Sequence, residues 1–248
     1  MGTWPHLRQA PITEALIDIR VDLPAETDLG TLASFQDAIK ERYPQKRERR
    51  AWHGRIELKR SQDPLVHQSS GGVDGFLFTS PDGTQVVQAR MDGFTFSRLK
   101  AYETWENLRD EAKTLWNRYR DITHPTRITR VAVRYINRLV LPLPVQDFKQ
   151  WVLTTPDIAP TLPQALATFF LRLVIPFPEA NCKAIVTQTI EPGDHHDTVP
   201  LIFDIDVFAE EERSCEADDL WSRFEALREI KNRIFWESIT RQTEEKYR

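Results

Sequence analysis

The sequence predicts an α+β fold, an antiparallel sheet with helices on one face, laid out as β-α-β-β-β-α and then repeated. Three observations predict it. Ile12–Pro24 (ITEALIDIRVDLP) and Arg130–Pro142 (RVAVRYINRLVLP) are alike, 118 residues apart, and each ends in Leu-Pro. Each is followed by several short apolar runs separated by turn residues, which is how consecutive antiparallel strands read. Each half then closes on a long amphipathic stretch that must bury one stripe. The 248 residues therefore form one pseudo-symmetric domain, 1–248, with repeats at 10–123 and 127–241.

The elements follow in order. Ala15, Ile17, Ile19, Val21 and Leu23 alternate with Leu16, Asp18, Arg20 and Asp22, the period of a half-buried strand. Leu29–Tyr43 carries Leu32, Phe35, Ala38, Ile39 and Arg42 at helical spacing, and Pro44 stops it. Gln45–Arg50 reads as a charged connector, Trp52–Arg60 as a strand, and Gln68–Gly72 as a loop. Gly75–Thr79 and Gln85–Met91 flank Ser80-Pro-Asp-Gly83, a hairpin signal, and Phe94–Leu99 continues the sheet. A helix from Thr104 to Asp121 lines up Trp105, Leu108, Ala112, Leu115, Trp116 and Tyr119. Thr123–Thr126 breaks the chain. The second half reads as a strand at Arg130–Leu141 and a short helix at Val145–Leu153. Strands follow at Phe169–Ile175, Lys183–Ile190 and Leu201–Phe208, then a helix from Ala217 to Thr240. Two such units side by side make one curved sheet with its helices outside, an arrangement like that of the TATA-box-binding protein at the level of element order.

Composition narrows the function classes. A net charge of −4 gives no global pull toward nucleic acid. The two cysteines, Cys182 and Cys215, have no metal or redox spacing. The N-terminus MGTWPHLRQA lacks an apolar signal core, and no run approaches the ~18 residues of a membrane span. The expectation is a cytoplasmic protein with no membrane association. No G-x-S-x-G, H-E-x-x-H, phosphate-cradling glycine loop or Cys/His cluster occurs, so no catalytic residue and no cofactor is expected.

Chemistry is sought on the face that helices leave open. Period two puts Asp18 and Arg20 there on the first strand, Arg134 and Arg138 on its counterpart, and Asp204 and Asp206 near the end of the chain. Symmetry adds Arg98 from Phe94–Leu99. Arginine forks grip phosphate or carboxylate bidentately, and paired aspartates can hold Mg²⁺. The same residues also make cross-strand ion pairs, which is the plainer account.

Three further clusters read as surface. Arg55, Glu57 and Lys59 share a strand face, faintly like triphosphate-tunnel enzymes, without their fuller E-x-E-x-K run. Lys46–Arg50 beside Trp52 and His53 is the densest basic patch, interrupted by Glu48. Asp194-His195-His196-Asp197 contains metal-ligand types but reads as an exposed turn.

Four blocks carry a resemblance to a known family: Ala10-Pro-Ile-Thr-Glu-Ala15; Phe94–Leu99 with Tyr102 and Trp105; Arg134-Tyr-Ile-Asn-Arg138; and Phe203-Asp-Ile-Asp206 with Lys231-Asn232 and Ile239-Thr240. Over nearly its whole length the chain resembles the sporadically distributed, uncharacterised prokaryotic proteins of about 250 residues. The resemblance implies no activity or catalytic residue. It does imply an accessory setting such as a mobile element, a defence system or a toxin–antitoxin-like pair.

The functional expectation is a non-catalytic binding protein that docks a protein partner, or a second copy of itself, on its sheet face or edges. One alternative is a phosphate- or nucleotide-recognising metal-dependent enzyme or sensor. It would use Arg20, Arg134 and Arg138 on phosphate and Asp204 and Asp206 on Mg²⁺. A third reading, nucleic-acid binding on the sheet face, fits the acidic composition poorly.

Overall fold

The computed structural model describes residues 4–5, 7–57, 65–100, 102–145, 147–164, 166–193, 195–217 and 219–248, leaving aside the side chains of 51–57 and 65–71. The described residues form one nine-stranded sheet. Its strands are β1 (Ile12–Asp22), β2 (Gln45–Glu57), β3 (Leu65–Thr79), β4 (Gln85–Arg90), β5 (Gly93–Leu99), β6 (Arg127–Pro142), β7 (Phe170–Phe177), β8 (Cys182–Ile190) and β9 (Thr198–Arg213). They lie in the order β2-β3-β4-β5-β1-β6-β9-β8-β7, and every pairing is antiparallel. The helices are α1 (Leu29–Ile39), α2 (Trp105–Thr123), α3 (Leu220–Ser238) and α4 (Arg241–Tyr247). Among the described residues, no helix is long and apolar enough to cross a membrane.

Alternation fixes which way each strand faces. Ala15, Ile17, Ile19 and Val21 of β1 are buried and lie in register with Phe94 and Phe96 of β5 and with Val131, Val133 and Tyr135 of β6. That row continues into Ile205 and Val207 of β9. The helices seal this side, because their apolar stripes have nowhere else to go. α1, capped by Asp28 on the Thr31 amide, sets Phe35 edge-on to Phe78 and Tyr119. α2, capped by Thr104, places Trp116 against Phe94, and its Tyr119 hydroxyl donates to the Arg90 carbonyl at 2.9 Å. α2 ends on His124 in the left-handed region, and Pro125 prevents continuation. α3 packs on β6 and β9, with Phe235 stacked on Phe203.

Four local readings of the sequence change. Gln45–Arg50 is the start of β2, not a connector: Lys46 lies over the Phe76 ring at 4.4 Å, and pairing with β3 supplies what local propensity lacks. Gln68–Gly72 lies inside β3 for the same reason. The helix expected over Val145–Leu153 shrinks to one 3-10 turn, Phe148–Gln150. The terminal helix stops at Ser238, and Thr240 then caps α4, whose Tyr247 hydroxyl accepts from the Val140 amide at 2.9 Å.

Candidate functional site: the open face and its margin

The helix-free face is built from the opposite parity. One row runs Gln88–Thr95–Asp18–Ala132–Phe208–Lys183 across six strands, and the next places Arg90, Gly93, Arg20, Arg130 and Glu210 side by side. Gly93 is required in the second row. Its φ is +149°, and a Cβ there would meet the Ile19 carbonyl oxygen at 2.2 Å and the Arg90 guanidinium at 3.1 Å.

Asp18 is the hub, and it is buried. Its carboxylate accepts from Arg90 Nη2 at 2.8 Å, Thr95 Oγ1 at 2.7 Å, Arg20 Nε at 3.2 Å and Arg130 Nη1 at 3.1 Å. Burial alone would raise its pKa. Arg90, Arg20 and the Thr95 hydroxyl outweigh burial and hold the carboxyl below its ordinary value. Arg130 bridges onward to Asp206 at 3.0 Å and lies 4.5 Å above the Phe208 ring. Burial raises the Asp206 carboxyl, against the pull of Arg130 and Arg134. Arg134 binds Asp204 through two bonds, at 2.9 and 2.6 Å, and those hydrogen bonds raise its pKa. Arg138 lies 4.0 Å from Glu191. Arg20 and Arg90 are also tied to Asp92.

The structure thus brings Asp18, Arg20, Arg134, Arg138, Asp204 and Asp206 onto one face. Arg98 does not join them. It shares parity with Phe94 and Phe96 and pairs in register with Ala15, so it stands on the helix side near Glu103. Symmetry of strand order does not change parity within a strand. Nor do the remaining arginines converge: at ~3.3 Å per residue, Arg134 and Arg138 stand about 13 Å apart along β6. Both Asp204 oxygens are occupied by Arg134, and among the described residues no group of three or more His, Cys, Asp or Glu side chains is placed to hold a metal ion.

Sequence reasoning missed Arg90, Thr95 and Asp92, which complete the network. The β1–β5 register sets Thr95 opposite Asp18, the β4–β5 register brings up Arg90, and Asp92 joins through Arg20 and Arg90; the nearest signal was Arg90 following the apolar run of β4. It also missed a polar cluster under the helices. Lys231 of α3 is buried with its Nζ 3.9 Å from the Tyr135 ring centre, and Tyr135 shares a 3.1 Å hydroxyl contact with Tyr102. Desolvation pulls the lysine down to about 7. Asn137, also buried, donates to the Phe203 carbonyl at 3.0 Å. Tyr135 and Asn137 occupied the dry parity of β6, a legible warning. Arg55, Glu57 and Lys59, with Trp52 and His53, fall outside the described side chains.

The second half differs in surface character. The large hydrophobics exposed among the described residues are Leu143, Leu153, Leu162, Phe170 and Val174, all within one quarter of the chain. His195 and His196, with Leu143 and Phe148, line a cleft of about 1000 Å³ beside this region. In comparisons with known proteins, no family model, no curated protein and no solved structure matches this chain.

Proposed function

We propose that the chain is a non-catalytic binding protein of the sporadically distributed family whose blocks it resembles. It docks a protein partner or a second copy of itself at the β7 margin of the sheet. The observation that carries this reading is that, among the described residues, the exposed large apolar side chains fall within Leu143–Val174, with Phe170 at 70% and Val174 at 52% exposure on the outermost strand. Exposed apolar side chains at a sheet margin suit an interaction site, and an outermost strand offers unpaired backbone groups as well. The opposite edge is more densely charged: after Gln45, β2 carries Lys46, Arg47, Glu48, Arg49 and Arg50, charges that discourage edge pairing.

A duplicated plan, of the TATA-box-binding-protein kind, is part of the proposal. The strand order reads β2-β3-β4-β5-β1 and then, mirrored, β6-β9-β8-β7. Leu16 pairs directly with Arg134, its counterpart at the 118-residue offset, where a pseudo-two-fold axis would cross. An accessory place in a mobile-element, defence or toxin–antitoxin-like system suits such a binder. The charged centre of the open face is better read as a lattice of cross-strand ion pairs than as a phosphate or metal site, because its guanidiniums already have carboxylate partners.

The test is isolation of the chain from its native host at micromolar concentration. The expected result is self-association or a co-purifying protein, lost when Phe170 and Val174 are both changed to Glu. A monomer with nothing bound would overturn the reading. Nucleotides, polyphosphate and Mg²⁺ are expected to leave the melting temperature unchanged; a clear rise would favour the phosphate alternative.

A further inference from the structure

We infer that the occupant of the β7 margin is a second copy of this chain, joined by antiparallel β7–β7 pairing with Leu173 on the two-fold axis. This rests on the reading of β7 as the docking margin and adds the partner and the register.

The mirrored strand order leaves a place open. The first half sets four strands outside β1, namely β5, β4, β3 and β2, while the second sets three outside β6, namely β9, β8 and β7. The position matching β2 lies just outside β7. The first half also covers β3 and β4 with the eleven-residue α1, where the described residues of the second have the turn Phe148–Gln150. Among the described residues, the margin is therefore short of both a strand and a helix. Phe170, Arg172, Val174 and Pro176 stand exposed on the open side, and Leu171, Leu173 and Ile175 are only half-buried on the other.

Registers centred on Leu173 and on Val174 both keep Arg172 from its own twin, but only the first pairs all four exposed residues within the strand; the second leaves Phe170 overhanging its end. A two-fold axis normal to the sheet keeps each face on its own side, so residues of like parity meet. With Leu173 on the axis, Leu171 stands opposite Ile175 of the second copy, Phe170 opposite Pro176, and Arg172 opposite Val174. Apolar groups meet apolar groups on the helix side. Arg172 is set against an aliphatic neighbour instead of its own twin, which the register centred on Arg172 would impose at a cost. An unrelated extended peptide would cover one such patch, whereas a second copy covers two with the same contact.

Eight residues a side is well short of the ~20–30 of a standard interface. The dimer is therefore reversible, with a Kd in roughly the micromolar range.

Sedimentation velocity on the intact chain, from about 1 to about 200 µM, tests this. The expected result is a monomer–dimer equilibrium that Val174→Glu shifts to monomer. Leu173→Cys is expected to form an inter-chain disulfide under mild oxidation, while the wild-type chain, whose Cys182 and Cys215 are buried, forms none. Circular dichroism of both variants verifies folding, and Phe170→Glu serves if Val174→Glu does not fold. A monomer throughout the range overturns the proposal. So does a dimer that survives Val174→Glu without a Leu173→Cys cross-link, which places the interface elsewhere. A monomer that still co-purifies with another protein, lost on the Phe170/Val174 double change, overturns the dimer while leaving the docking margin in place.

Discussion

Four donors meet one buried carboxylate at Asp18, and Arg90 beside it is just as buried. Such a pair is weak evidence of net stability but expensive to break from one side. Asp18→Asn is expected to destabilise by about 3–5 kcal/mol in urea unfolding, because Arg90 loses its buried countercharge. Its pH signature follows from a carboxyl held below its ordinary value: the contribution is full above the unfolded-state pKa and is lost as pH falls through the lower folded value. Lys231 has the opposite sign. Its folded pKa of about 7 lies below the ordinary 10.5, so between these values the unfolded chain binds more protons and stability rises with pH. That rise is worth ~1.4 kcal/mol for each pH unit between the two values. Lys231→Met is therefore expected to stabilise the protein by a few kcal/mol at and below pH 7 and to abolish the rise above it. Thermal melts across pH check both. Gln188 is fully buried, and neither amide atom finds a partner among the described residues; Gln188→Met is expected to raise stability by ~1–3 kcal/mol.

Strands whose own alternation decides their facing were legible: β1, β6 and β9 present the predicted buried and open sides. Strands whose pairing is supplied by a neighbour were not. β2 begins in a run of charges and β3 crosses a Ser/Gly stretch, and only their mutual register makes them strands. The same limit explains the site. Asp18 and Arg20 were readable from one strand, whereas Arg90 reaches Asp18 across β5, a two-strand step that no single period encodes. Arg98 is the reverse case: likeness between the halves points it to the open face, but the parity of Phe94 and Phe96 decides its side. At the β4–β5 turn, Gly93→Ala is expected to be severely destabilising, since its Cβ collides with β1 backbone; loss of the cooperative urea transition would show it.

Across the described strands, the exposed large apolar side chains lie on β7, where they flank Arg172. The centre of the open face satisfies its own charges, while the β7 end exposes Phe170 and Val174. The proposed docking margin at β7 rests on that exposed edge, and the ion-pair reading of the central face on those carboxylate partners. Amide hydrogen exchange of the intact chain, compared between dilute and concentrated solution, tests that most directly. The account predicts slower exchange at β7 on concentration, with β2 and the Asp18 network unchanged. Exchange at β7 that ignores concentration, with protection gained instead at Asp18, Arg134 and Asp204 on adding nucleotide and Mg²⁺, would contradict it.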